Sequence, residues 1–175
     1  VALLHPETLA RYQHLSPQEF MDSVILGALR EHLYMAYNVI TVYAQIVMEL
    51  PITDNLYISP IGNNVTRKPI ELREAMRDMQ SYVVEANHLV QAPFSVNRVE
   101  NEILQRVSEV RRPIEFIDRW AAAIENDGMM KMVKLPGLKG KTAARLASEI
   151  REYMFDCNQV LIYAQAYALR WAKRE

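Results

Sequence analysis

SPQEFMDSVILGALREHLYMAYNVITVYAQIVMEL, residues 16–50, decides the fold class. It opens with Ser16-Pro17-Gln18-Glu19, which combines an N-cap serine, a proline at the first helical position and a glutamate placed to close a capping box. Nothing inside the stretch breaks a helix until Pro51, so the spacing predicts a single helix of roughly 50 Å at 1.5 Å per residue. In its first half Phe20, Val24, Ala28 and Leu29 fall on one side, with Asp22, Arg30 and Glu31 elsewhere. Its second half, LYMAYNVITVYAQIVM (33–48), carries no charge and is apolar nearly all round. A helix without a polar face is enclosed by other helices, of its own chain or of a neighbour.

Working outward, an N-terminal arm (1–15) holds a short amphipathic turn or helix over residues 6–14. Its VALLHPETLARYQHL has no basic segment followed by an apolar one, so no secretory signal peptide is expected. Residues 51–68, PITDNLYISPIGNNVTRK, form a connection rich in turn signals and longer than an ordinary loop. A third helix is expected from Pro69 to Gln91. Ser95 is placed to cap a fourth, which reaches Arg111, and Pro113 to open a fifth, which reaches Asn126. The last helix runs from about Lys141 to Lys173, and the segment before it reads as a short helix (Met129–Lys134) and a Pro136-Gly137 turn. The sequence therefore predicts one all-α domain over residues 1–175, a bundle of about five to six helices of which two are long and largely apolar. Within it Asn38–Gln45 (NVITVYAQ) echoes Asn158–Gln165 (NQVLIYAQ), by chance or because the two helices are equivalent partners in the core.

Composition agrees with a helical globule: half of the 175 residues are hydrophobic, 23% are charged and only five are glycine. The single cysteine, Cys157, excludes an intramolecular disulfide and reads as a buried small hydrophobe. Formal net charge is −1, against a wholly basic nucleic-acid binder, but residues 1–127 balance at −6 and residues 128–175 at +5. Such asymmetry suggests that one end meets an anion. Arginine outnumbers lysine 14 to 6, and its planar fork suits phosphate and interface pairs. The longest uncharged run is too short and too polar for a membrane span.

The basic end centres on GMMKMVKLPGLKGKTAARLASEI, residues 128–150. Lys131, Lys134, Lys139, Lys141 and Arg145 fall there without an acidic residue among them. Gly137 and Gly140 allow close approach of the backbone, and the amides of Gly140, Lys141 and Thr142 would lie at a helix N-terminus, which favours an anion. LPGLKGKTAARLA resembles the hairpin of the helix-hairpin-helix family in Leu135, Pro136, Gly137, Leu138, Lys141, Thr142 and Ala143, with the second glycine one position late at Gly140. The resemblance implies hairpin amides and a lysine gripping the phosphate backbone of double-stranded DNA without reading bases. The competing reading is a Pro-Gly turn followed by a solvated basic helix start.

Further candidate phosphate contacts are Arg67, Lys68, Arg73 and Arg77 at the start of the third helix, and Arg170, Lys173 and Arg174 at the end of the last. Glu71, Glu74 and Asp78 among the former allow a salt-bridged solvated face instead. Arg111-Arg112 complements a helix dipole.

No catalytic constellation, cofactor or metal is implied. Glu85-x-x-His88 has the spacing of a di-iron bundle ligand pair, but none of His5, His14 and His32 supplies a second. Gly140-Lys141-Thr142 matches the end of a P-loop, yet residue 135 is leucine where that motif needs glycine.

Three function classes follow: a structural protein that packages double-stranded DNA and self-assembles with copies of itself or a paralogous subunit; a small helix-hairpin-helix accessory protein of repair or recombination; and a helical protein–protein interaction domain. In plan the chain is similar to the all-α major coat proteins of filamentous archaeal viruses, being helix-rich, under 200 residues and arginine over lysine. That likeness implies a non-enzymatic role in a nucleoprotein filament, in a virion or inside a cell.

Overall fold

The structure, a computed structural model, describes residues 6–49, 57–58, 70–95, 98–126, 135 and 141–172. It is all-α. A short helix α1 (Pro6–Gln13) precedes α2 (Pro17–Phe20), which passes through a π-helical segment (Met21–Leu29) into α3 (Arg30–Met48) without interruption. Then come α4 (Leu72–Gln91), α5 (Val99–Asn126) and α6 (Ala143–Ala172). The only strands among the described residues are β1 (Tyr57–Ile58) and β2 (Ile70–Glu71), an antiparallel pair of two residues each.

The start at Ser16 forms as its sequence dictates: the Ser16 hydroxyl accepts from the Glu19 amide at 3.2 Å and donates to the Glu19 carboxylate at 2.9 Å. The π segment shows in the burial pattern. Phe20, Val24 with Ile25, Leu29 and Leu33 are fully buried at steps of four to five residues, the wider turn that i→i+5 bonding produces. A strict 3.6-residue period is therefore wrong here: Ala28, expected on the buried side, is half-exposed, while Met21 and Ile25 are in the core.

Two expected helices are one. Pro113 lies inside the continuous α5 instead of opening a new helix, and α5 begins at Val99, beyond the Ser95 expected to cap it. Burial offsets the missing proline donor: Val110, Pro113, Ile114 and Ile117 share the buried face, so packing outweighs local preference. Likewise α4 starts at Leu72 and not Pro69, because Ile70–Glu71 pairs with Tyr57–Ile58 inside or beside the expected long connection. The expected helix at 129–134 lies outside the described residues.

Helices α3, α4, α5 and α6 form a four-membered antiparallel ring, each packed on the next and α6 closing back on α3. Side-chain contacts fix the registers: Arg77 with Met48 between α4 and α3, Arg111 with Gln165 at 3.0 Å between α5 and α6, and Tyr43 with Glu149 at 3.5 Å between α3 and α6. Large apolar side chains such as Ile40, Met79, Ile103 and Ile114 fill the centre at zero exposure. The echoing strings sit on adjacent helices with Tyr43-Ala44 and Tyr163-Ala164 all buried. At the far end, α1 is held on α6 by an aromatic chain. Tyr12 meets Phe20 and Tyr163 edge-on at 5.9 Å, Phe20 stacks on Tyr167 at 4.0 Å, and the Tyr167 hydroxyl donates to the Leu15 carbonyl.

That end also holds the one buried charged residue among those described, Arg106. Its guanidinium donates to the carbonyls of Leu89, Val90, Ala92 and Pro93. Leu89 and Val90 stand in the last turn of α4, where carbonyls lack intrahelical partners, and of the two only Leu89 has a further donor among the described residues, the Ala92 amide at 3.4 Å, so α5 supplies most of the C-cap of α4.

Candidate nucleic-acid interface

The antiparallel ring sets which basic residues can act together. The N-termini of α4 and α6 lie at the same end of the bundle, since Leu72 and Met76 of α4 line one small cavity with Leu135 and with Ala143 and Leu146 of α6. Arg73 and Arg77 on α4 and Lys141, Thr142 and Arg145 at the start of α6 are thereby brought to one end. Arg170 is not; it stands in the last turn of α6, at the opposite end. Arg67, Lys68, Lys131, Lys134, Gly137, Lys139, Gly140, Lys173 and Arg174 lie outside the described residues.

Local chemistry prepares the α6 start. Thr142 is its N-cap, its hydroxyl accepting from the Arg145 amide at 3.2 Å, and no acidic residue occupies the first turn. Leu135 is buried and its amide donates to the Lys141 carbonyl at 3.0 Å, which sets it beside the start of α6. Two helix N-termini with their partial positive charge and several arginines make this end attractive to an anion.

The residues there are not equally available. Lys141 is in an ion pair with Glu149 at 2.9 Å, and the other carboxylate oxygen of Glu149 accepts from the Tyr43 hydroxyl. Burial, reinforced by the Glu149 charge, pushes the Tyr43 phenol well up, so it remains a proton donor to that carboxylate. An anion at this end must compete with Glu149 for Lys141. Arg145 and Arg77 are exposed, and neither makes an ion pair among the described residues. Arg77 reaches across to Met48 Sδ at 3.9 Å. Exposed Glu49 and Glu74 and half-buried Asp78 temper the positive field. Burial raises the Asp78 carboxyl above its ordinary range.

Glu149 and Arg106 carry the most consequential polar contacts, and neither is among the candidates read from the sequence. The signal for Arg106 was present: it falls in the buried series Val99, Ile103, Arg106, Val110, Ile114 at helical spacing, and a lone arginine in a core stripe implies a polar partner opposite. Glu149 had no such signal, because its partners come from residues 43 and 141.

Elsewhere the described residues contain no group of three or more potential metal ligands, and Glu85 and His88 are both exposed. Cys157 is fully buried, and burial with the neighbouring Asp156 charge pushes its thiol far up, which makes it inert. No helix among the described residues is long and apolar enough to cross a membrane. Compared with protein-family models, curated proteins and solved structures, the chain matches none.

Proposed function

We propose that this is a structural, non-enzymatic protein that binds the phosphate backbone of double-stranded DNA through one end of its bundle and self-assembles on it, as a coat or packaging subunit of a nucleoprotein filament does. The observation that carries the reading is the convergence of two helix N-termini with Arg73, Arg77, Lys141 and Arg145 at that end. Amides and arginines arranged this way hold phosphate oxygens and ignore base edges, giving affinity and register without sequence preference. Lys141, already paired, exchanges one carboxylate for one phosphate and contributes least.

The test is DNA affinity against salt, with Arg77→Glu plus Arg145→Glu as the variant. Both residues are exposed, so the fold should survive. Each lost phosphate contact should flatten the slope of log K against log salt by about 0.9, or roughly 2 for the pair. A variant whose slope matches the parent refutes this location, and a parent that ignores DNA at moderate salt refutes the function.

A second reading, a protein–protein interaction domain, is favoured by uncharged outward faces on α3 and α6. Tyr34, Met35 and Val42 on the first, and Phe155, Ile162 and Leu169 on the second, are exposed.

A further inference from the structure

Helix α6 has no charged residue between Asp156 and Arg170. On its outward side Phe155, Ile162 and Leu169 are 37%, 40% and 49% exposed, each seven residues after the last. Seven residues are nearly two turns, so the three make a straight apolar seam of the kind that helices use to pair. Ala166 is exposed between them and adds no bulk. The seam ends in opposite charges: exposed Glu152 lies before Phe155, and exposed Arg170 follows Leu169.

We infer that this seam is the contact between two copies of the chain, paired antiparallel about a two-fold axis at Ile162. Such an interface is self-complementary, each residue meeting its mirror position on the partner. With Ile162 on the axis, Phe155 of one copy faces Leu169 of the other, an aromatic ring against a branched aliphatic, twice. Glu152 and Arg170 are 18 residues apart, about five full turns, so they share one flank of the seam. Their midpoint falls within a residue of the axis, and antiparallel pairing brings each Glu152 beside the other copy's Arg170. Within one chain the two are roughly 27 Å apart along the helix and cannot meet.

The α3 face fails the same test. It too is apolar, with Tyr34, Met35 and Val42 exposed, but its ends carry Glu31 and Glu49, also about five turns apart and so on one flank. Self-pairing there would set carboxylate against carboxylate.

This inference deepens the self-assembly part of the proposed function and rests on it, while the phosphate contacts at the bundle end are separate. Sedimentation velocity of the full chain without DNA should show a concentration-dependent dimer. Ile162→Glu, at a site 40% exposed, should give a monomer with unchanged helicity. Either Glu152→Arg or Arg170→Glu alone should weaken dimerisation about tenfold, because each reversal sets up two like-charge pairs. The double variant, E152R with R170E, should restore it. Ile162→Cys should crosslink copies on oxidation, as a residue on a two-fold axis meets itself.

A parent that stays monomeric at all concentrations overturns the inference, as does a dimer unmoved by Ile162→Glu. A dimer lost with Ile162→Glu but without charge-swap rescue overturns the antiparallel register. DNA binding by a monomeric parent would sink only the pairing, and a dimer indifferent to DNA only the phosphate reading.

Discussion

Replacing Arg106 by methionine tests whether α4 is capped from α5. The side chain is 4% exposed and donates to the carbonyls of Leu89, Val90, Ala92 and Pro93. Methionine keeps much of the length and apolar volume and removes every donor. Of the four carbonyls, those of Ala92 and Pro93 sit where the chain is at least partly exposed and can be rewetted, and that of Leu89 keeps the Ala92 amide at 3.4 Å, which leaves only that of buried Val90 stranded. One stranded carbonyl at about 1–3 kcal/mol, with the weakened site at Leu89 offset by no longer burying a guanidinium, gives a loss of about 2 kcal/mol. With a urea m-value of roughly 2–3 kcal/mol/M for a chain of this size, the unfolding midpoint should fall by about 0.7–1 M at constant m. Protein concentration must be held fixed, because self-association would add stability of its own. Glu102→Gln is the control. Its carboxylate lies 4.0 Å from the guanidinium on an i,i+4 spacing and is partly exposed, so it should cost under about 0.5 kcal/mol. A midpoint for Arg106→Met within about 0.2 M of the parent, or a control as damaging as the arginine change, would show that the carbonyls do not depend on this guanidinium.

Pro113→Ala should stabilise the chain by about 1 kcal/mol in the same assay: restoring a helix-interior amide gains up to ~3 kcal/mol and losing buried ring methylenes costs ~2. A net loss would mean that the local geometry around the proline is needed for packing. Glu149→Gln should release Lys141 and strengthen DNA binding, steepening its salt slope by up to about 0.9; an unchanged slope would remove Lys141 from the interface. Burial raises the folded pKa of Asp78 above its unfolded value, so its ionised form opposes folding at neutral pH and the opposition fades as pH falls through the folded pKa. Asp78→Asn should therefore raise Tm modestly at pH 7 and leave it nearly unchanged at pH 3, where both states of the parent are protonated. The reverse order would refute the sign.

The all-α class and the helix start at Ser16 were legible because their causes are local. A cap, a proline at the first position and a long uncharged run need no tertiary information. The errors fell where tertiary packing overrides local preference. Proline at 113 argues for a break by its missing donor, and the helix continues because Val110, Ile114 and Ile117 are worth more buried on one straight face. The π segment was invisible because Phe20, Val24 and Leu29 also satisfy a loose 3.6-residue period; only the burial of Met21 and Ile25 distinguishes the two. At the candidate interface, residue type and helix position could be read for Arg73, Arg77 and Arg145. That Arg170 belongs to the other end, and that Lys141 is held by Glu149, follow only from the order in which the helices pack.

The two proposals constrain each other through geometry. Antiparallel pairing about Ile162 sends the two α6 N-termini in opposite directions, each about 19 residues from the axis, so the paired basic ends stand roughly 57 Å apart. At 3.4 Å per step of a strand, that span is about 17 base pairs. A monomer offers DNA a single basic end; a dimer offers two, and simultaneous engagement raises affinity with no new contact. Ile162→Glu lies far from every basic residue of the interface, so any effect on DNA must pass through pairing. It should leave binding to a duplex of about 8 base pairs unchanged and weaken binding to one long enough to reach both ends. Equal weakening on both lengths would mean that the seam itself touches DNA, and no weakening on the long duplex would mean that the two ends act independently.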